Sequence, residues 1–314
     1  MYLQHFGLSQ LPFTLTPNTG FFFGLSPHVE ALQVLQIALQ TGEGFIKVTG
    51  EVGTGKTLVC RKLLNDLPTQ YHCAYLPTPY LTPKELRWAV AGELGLALPN
   101  KLDQQHLTRL IHERLLALSH QGFQVVLVLD EAQSLPDDSI EALRLLTNLE
   151  TETCKLLQVV LFGQPELDQR LAQAKFRQLR QRITFSYVLR PLTWDEIQAY
   201  IHYRLAVAGY QGPELFQPAD IKRIAKAARG IPRLVNILAH KSLLLCYGQG
   251  EKRVRSRDCL AAILDTEDIH VQHKPRFFRV GIWVIILFAT VMLLTELNGE
   301  NGYAEWIIQI SEMI

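Results

Sequence analysis

Apolar and amphipathic stretches alternate along the first 190 residues. Short continuous apolar runs are typical of strands buried on both faces of a parallel sheet, and apolar residues at helical spacing predict helices between them. The predicted strands are 45–49, 73–76, 125–129, 156–162 and 183–189. The predicted helices are 28–40, 56–64, 82–94, 104–119 and 137–150. This alternation predicts an α/β fold with a doubly wound parallel sheet over 28–190, whose functional sites lie at the carboxyl ends of the strands.

The pattern changes after residue 190, where helical sequences follow one another without strands. Thr193 and Glu196 form a capping box that opens the first of them. The predicted helices of this part are 193–207, 218–229, 232–246 and 256–264. They predict a small all-helical domain over 191–268. The aromatic-rich and proline-rich residues 1–27 are expected to form an arm that packs on the sheet domain.

An uncharged apolar run extends from Val280 to Thr295. With its apolar neighbours it predicts one transmembrane helix over 277–297, because about 20 such residues cross a bilayer. Basic residues precede the run, and glutamates but no Lys or Arg follow it. The positive-inside rule therefore predicts a cytoplasmic amino-terminal part and a short periplasmic tail, 298–314, that is either an interfacial helix or a frayed terminus. The alternative for the run is a buried core helix.

The composition limits the partners. A formal net charge of +1 gives no global attraction to nucleic acid, so any electrostatic function must be local. Five scattered cysteines without C-x-x-C spacing indicate reduced thiols in a cytosol. No secretory signal is visible in the first 20 residues.

Residues 50–57 satisfy every fixed position of the phosphate-binding pattern G-x-x-x-x-G-K-S/T. Its glycines let backbone N–H groups point inward, and the helix that starts at Lys56 directs its positive dipole end to the same point. Lys56 is expected to reach the β- and γ-phosphates, and the Thr57 hydroxyl to bind Mg²⁺. The alternative is a glycine-rich turn that matches by chance. The predicted nucleotide-binding residues are Gly50, Glu51, Val52, Gly53, Thr54, Gly55, Lys56, Thr57 and Leu58.

Two acids, Asp130 and Glu131, end the apolar run 125–129. In phosphate-loop enzymes an acid at this place holds Mg²⁺, so the predicted metal ligands are Thr57 and Asp130. Glu131 is the candidate that orients and deprotonates the attacking water. Together these residues predict binding and hydrolysis of MgATP, and the arm 1–27 is expected to pack near the base of that nucleotide. The alternative is a strand followed by an ordinary acidic helix cap.

The order of the motifs GEVGTGKT, LVLDEAQ, LFGQPEL, RQLRQRI and GIPRLVN resembles the AAA+ ATPases of the ExeA/GspA secretion type, and among them most closely the MSHA pilus biogenesis members. The likeness covers residues 1 to 270. It implies an AAA+ P-loop NTPase fold with a nucleotide-binding core over 28–190 and a helical lid over 191–268. It also implies ATP and Mg²⁺ as cofactors and assembly into a homo-oligomer.

The resemblance also implies roles for single residues. Gln164 matches the sensor 1 position, where a polar side chain tests the γ-phosphate, and Arg233 matches the sensor 2 arginine of the lid. Arg182, or failing it Arg180, matches the arginine finger that is offered to a neighbouring subunit. The likeness ends at the tail, because ExeA-type relatives carry a large periplasmic part that resembles peptidoglycan-binding modules.

By resemblance, we expect an ATPase anchored in the bacterial inner membrane by a single pass, with its ATPase domain in the cytoplasm. Its expected task is to assemble or remodel a type IV, MSHA-like pilus or a type II-like secretion apparatus. The expected partners are further copies of the chain, assembly proteins of the inner membrane and membrane lipid, without nucleic acid. One alternative is a DNA-handling AAA+ ATPase of the transposition-helper or initiator type. Another is a nucleotide switch without turnover.

Overall fold

In the computed structural model of the chain, the described residues are 2–77, 79–99, 102–151 and 154–270. The predicted transmembrane segment, 277–297, and the predicted tail, 298–314, lie outside these ranges. Within the ranges, no helix combines the length and the apolar character that crossing a membrane requires. A compact unit ends at Asp265, and the site described below belongs to it.

All five predicted strands form. They are β1 (Phe45–Gly50), β2 (Tyr71–Leu76), β3 (Gln124–Leu129), β4 (Gln158–Gly163) and β5 (Ile183–Leu189). They make one parallel sheet in the order β2-β3-β4-β1-β5. Because β1 lies between β4 and β5, Gly50 is paired with Leu189 and Thr49 with Gly163. The carboxyl ends of β1, β3 and β4 therefore meet at one edge.

Helices cover both faces of the sheet. The helices of the described residues are α1 (Tyr2–Phe6), α2 (Ser26–Gln40), α3 (Lys56–Asp66), α4 (Pro83–Glu93), α5 (Gln104–His120), α6 (Asp137–Leu146), α7 (Pro165–Leu171), α8 (Arg177–Arg180), α9 (Trp194–Val207), α10 (Pro218–Ala228), α11 (Pro232–Gly248), α12 (Ser256–Leu264) and α13 (Glu267–His270). Alternate residues of β3 face opposite sides: Val126 and Val128 pack with α2 and α3, whereas Leu127 and Leu129 pack with α4 to α7. The α/β sheet is thus doubly wound, as predicted.

Capping side chains fix where several helices begin. The Thr82 hydroxyl accepts from the Glu85 N–H, and the Glu85 carboxylate accepts from the Thr82 N–H, which forms a capping box. Thr193 and Glu196 form the same box at the start of α9. The helix predicted over 137–150 ends earlier, at Leu146. The hydroxyl of Thr147 donates to the Arg144 carbonyl there, a local bond that competes with helix continuation.

The helices α9 to α12 form the all-helical part predicted after residue 190. The prediction that the arm packs on the sheet domain is wrong for its first half, which contacts these helices. The Ser9 N–H donates to the Ala208 carbonyl (2.8 Å), and the Phe13 ring lies 6.2 Å from the Phe216 ring. Phe13 thus has its aromatic partner on the helical part, whereas Phe22, later in the arm, packs against the core of the sheet domain. Further along, the Pro17 carbonyl accepts from Arg61 of α3, so the arm joins both parts.

Candidate nucleotide-binding site

The phosphate loop connects β1 to α3 at the edge where the strand ends meet. Gly53 and Gly55 have φ values of +83° and +103°, a region that favours glycine. A Cβ on Gly53 would lie 2.7 Å from the Cβ of Arg233, and a Cβ on Gly55 would lie 2.8 Å from Nε2 of His28. The loop therefore keeps its backbone N–H groups exposed in a cradle that side chains at these positions would disrupt.

Lys56 is the first residue of α3 and is only 4% exposed. Its Nζ donates to the carbonyls of Gly50 (2.8 Å) and Glu51 (3.0 Å). Burial lowers the pKa of Lys56, and the nearby acids Glu131 and Asp130 oppose that shift. The loop thus holds an ammonium group within its own turn, close to both acids.

Asp130 follows β3 directly and is 3% exposed. Its Oδ1 accepts from the Glu131 N–H (2.9 Å), and the Thr57 hydroxyl lies beside its carboxylate. Burial raises the pKa of Asp130, and the hydrogen bonds lower it. A buried carboxylate and a hydroxyl in contact are hard oxygen donors of the kind that Mg²⁺ takes. The two predicted metal ligands are therefore together.

Glu131 lies on a turn with φ +53°, which is uncommon for a residue with a side chain. Its Oε2 accepts from the side-chain amides of Gln164 (3.0 Å) and Gln133. Gln164 precedes α7, so the predicted sensor and the predicted water-activating acid come from the ends of neighbouring strands β4 and β3. Left-handed backbone at a candidate catalytic acid is the kind of strain that occurs at functional sites.

Arg233 lies at the start of α11 and reaches the loop from the helical part. Its N–H donates to the Gly53 carbonyl (3.2 Å), and its side chain lines the same cleft as Lys56, Glu131 and Gln164. The structure thus brings the predicted sensor 2 residue to the phosphate loop.

The two candidate arginine fingers lie elsewhere. Arg182 donates to the Asn148 side chain and to the Arg144 carbonyl, and Arg180 donates to the carbonyls of Leu171 and Ala172. Neither arginine lines the cleft. Their contacts do not distinguish which of them serves a neighbouring subunit.

Arm residues 14–18 form one wall of the cleft. The sequence predicted an arm near the nucleotide base, but not the residues that hold it there. Arg204 of α9, 6% exposed, donates to the Pro12 carbonyl (2.5 Å), the Thr14 hydroxyl (3.3 Å) and the Tyr200 hydroxyl (2.7 Å). Asn236 donates to the Thr14 carbonyl (3.3 Å). A signal was available, since Arg204 shares helical spacing with the apolar residues of the buried face of α9.

These residues fit MgATP. The glycine cradle matches a phosphate chain, Lys56 supplies a cation, and Thr57 with Asp130 supplies the oxygen donors for the metal. Within the ranges that the structure covers, no cluster of three or more His, Cys, Asp or Glu residues forms a separate metal site.

Comparisons with known proteins agree with this geometry. The AAA domain family matches residues 39–171. General secretion pathway protein A of Aeromonas hydrophila is 43% identical over 269 residues, which is 86% of this chain and 49% of that protein. The chain therefore spans about half the length of this relative.

Solved structures share the fold. Cdc6p of Pyrobaculum aerophilum has a TM-score of 0.61 and 21% identity, over 79% of this chain and 70% of that one. The Aeropyrum pernix ORC1 protein, solved in complex with DNA, has a TM-score of 0.59 and 21% identity, over 82% and 69%. A Walker-type ATPase of Pyrococcus abyssi has a TM-score of 0.55 and 16% identity, over 91% and 80%. At such identities the likeness concerns the fold alone. By its AAA domain and its secretion relative, the chain belongs to the AAA+ ATPases of the general secretion pathway protein A type.

Proposed function

We propose that this chain binds and hydrolyses MgATP and uses the cycle to assemble or remodel a type IV, MSHA-like pilus or a type II-like secretion apparatus at the bacterial inner membrane. One observation carries the enzymatic part: Glu131 and Gln164 lie in hydrogen-bond contact at the cleft that Lys56 and Arg233 also line. The likeness to general secretion pathway protein A supports the envelope part.

The polar residues around the phosphate loop have the following roles in this proposal. Backbone N–H groups of the loop and Lys56 bind the β- and γ-phosphates, and Thr57 and Asp130 hold the metal. Mg²⁺, when bound, neutralises negative charge on the phosphate oxygens. Glu131 orients the attacking water and accepts its proton. Gln164 and Arg233 contact the γ-phosphate, so the helical part, acting as a lid, responds to its presence.

A second subunit completes the site in this proposal. Arg182 or Arg180 lies outside the cleft of its own chain, so either is available to the cleft of a neighbouring copy. An arginine supplied from outside a site raises the rate by about 10³ or more in related phosphoryl transfers. The chain therefore acts as a homo-oligomer, with hydrolysis dependent on contact between copies.

The envelope location follows from the sequence of the last 40 residues. Residues 277–297 anchor the chain in the lipid by a single pass, with the ATPase part in the cytoplasm. Assembly proteins of the inner membrane are the partners. The likeness to MSHA pilus members of the MshM type stays a prediction.

The fold likeness to ORC1 and Cdc6p keeps a DNA-handling ATPase as the alternative. The residues of this chain that could serve DNA are one basic cluster, formed by Lys252, Arg253, Arg255 and Arg257. This cluster is partly neutralised within the chain, because Arg255 pairs with Glu251 (2.5 Å) and Arg257 with Asp258 (3.8 Å). Nucleotide-dependent binding of duplex DNA that weakens steeply with salt would favour this alternative.

Complementation in cells tests the envelope role. In a strain that lacks the gene, the wild-type chain should restore pilus or secretion assembly, whereas Glu131→Gln should not. The matched control is Gln105→Glu, which makes the reverse exchange, an amide for an acid, at an exposed residue of α5. Full restoration of assembly by Glu131→Gln would show that hydrolysis is not required and would contradict the proposal.

A further inference from the structure

The side chain of Gln133 joins the two groups that face the γ-phosphate in the proposed site. Its Oε1 accepts from the Gln164 N–H (3.0 Å), and its Nε2 donates to Oε2 of Glu131. The orientation of this amide is determined by its partners, because a backbone N–H only donates and an ionised carboxylate only accepts. Both the oxygen and the nitrogen of the Gln133 side-chain amide are therefore hydrogen-bonded to residues of the proposed site.

The backbone of Gln133 is held from the other side. Arg170 of α7 donates to the carbonyls of Gln133 (2.6 Å) and Leu135 (2.7 Å) and pairs with Asp137 (2.5 Å). All three contacts come from the guanidinium of Arg170. They join the turn that carries Gln133 to α7, the helix that follows Gln164. The backbone that carries the Gln133 amide is thus held in place by Arg170.

Gln133 lies behind the cleft rather than in it. The cleft is lined by Glu131 and Gln164, whereas Gln133 is not among its lining residues. The side-chain amide of Gln164 donates to Glu131 (3.0 Å) and faces the cleft, where a phosphate oxygen would be a second acceptor for it. When Gln164 turns to phosphate, Gln133 is the donor that still orients the Glu131 carboxylate.

We propose that Gln133 is a positioning residue for ATP hydrolysis, which orients the Glu131 carboxylate towards the attacking water and ties it to the backbone of Gln164. This inference rests on the proposed function, since it deepens the role of the same site. A misplacement of about 1 Å in a catalytic group can reduce a rate a hundredfold. The loss should appear in turnover and not in nucleotide binding, because Gln133 lines neither the phosphate loop nor the cleft.

Two substitutions separate positioning from folding. Gln133→Glu keeps an acceptor for the Gln164 N–H but replaces the donor that faces Glu131 by a negative charge. Gln133→Met keeps the length of the side chain and removes both hydrogen bonds. We expect kcat to fall by about tenfold to a hundredfold in both variants. KM and the dissociation constant of a fluorescent ATP analogue should stay within about twofold of wild type, and Gln105→Glu, the matched control, should change nothing.

The full-length protein in detergent serves for all measurements. Turnover of Gln133→Met at the wild-type rate would overturn the positioning role while leaving the proposed function intact. A fall in kcat that is matched by weaker nucleotide binding and a lower melting temperature would assign Gln133 to the fold and would also overturn it. No hydrolysis by the wild-type protein would contradict the proposed function itself and the positioning role with it.

Discussion

The imidazole of His28 contacts the phosphate loop at Thr54 and Gly55. Its Nε2 donates to the Thr54 carbonyl (2.8 Å), since that oxygen only accepts, and the ring packs against Gly55. The other nitrogen, Nδ1, is buried without a hydrogen-bond partner among the described residues. Protonation would place a new N–H at this unpartnered position. The neutral ring is therefore the form that supports the loop.

Burial lowers the pKa of His28 from its ordinary value of 6.5, while the Thr54 carbonyl and the distant charge of Glu196 oppose that shift. A histidine that is harder to protonate when folded contributes stability that is present above its unfolded pKa of 6.5 and is lost as the pH falls from there through the lower pKa of the folded state. The free energy of unfolding in urea should therefore fall between pH 7.5 and pH 5.5.

The variant His28→Gln keeps a donor for the Thr54 carbonyl and does not titrate, so it should lose less stability over the same pH interval than wild type. The difference between the two proteins isolates His28 from other histidines such as His240, whose pKa burial also lowers. Equal losses in both proteins would show that His28 does not titrate in this range.

Spacing alone predicted the chemistry of the loop residues, but not what surrounds them. The pattern from Gly50 to Thr57 is local, and each position has one stereochemical reason. His28 and Gln133 act through contacts with residues that are distant in the sequence or belong to another turn. No periodicity or motif encodes such contacts, so these two residues were missed.

At the scale of elements, strands and caps were the most predictable features. The strands β3 and β4 are apolar runs buried on both faces, the edge strand β5 alternates exposed and half-buried residues, and Thr82 and Thr193 are local caps. The short helices α7 and α8 were missed because four to seven residues carry little periodic signal. The first half of the arm was misplaced because its partners, such as Phe216, lie about 200 residues away in the sequence.

Arg204 joins the arm to the helical part through two hydrogen bonds, to Pro12 and Thr14, and by packing over the Phe21 ring (4.7 Å). Arg204→Met should keep the packing of the stem but leave the Pro12 carbonyl unpaired. We expect a loss of about 1–3 kcal/mol in the free energy of unfolding, together with weaker nucleotide binding, because arm residues 14–18 line the cleft.

The matched control is Arg109→Met on α5, where the arginine is 62% exposed and its ion pair with Glu113 spans 3.6 Å. That change should stay within about 0.5 kcal/mol of wild type. If Arg204→Met is as stable as Arg109→Met and binds nucleotide normally, the arm is not held by Arg204.

At the scale of the whole molecule, the cleft gathers residues from the arm, the sheet edge and the helical part. Thr14, Gln164 and Arg233 come from these three regions and line one cavity. Order along the chain, taken with a resemblance, predicted Gln164 and Arg233 for this site, and both line the cleft, while their sensor roles stay predictions. The arginine finger stays a prediction, because its role depends on a second copy of the chain.

Steady-state ATP hydrolysis tests the central claim most directly. The wild-type protein should hydrolyse ATP in the presence of Mg²⁺, Lys56→Ala should neither bind nor hydrolyse it, and Glu131→Gln should bind it without turnover. A mixture of Arg182→Ala with Glu131→Gln should recover part of the activity, because one supplies the intact cleft and the other the arginine. Hydrolysis by Glu131→Gln at the wild-type rate would contradict this account of the site.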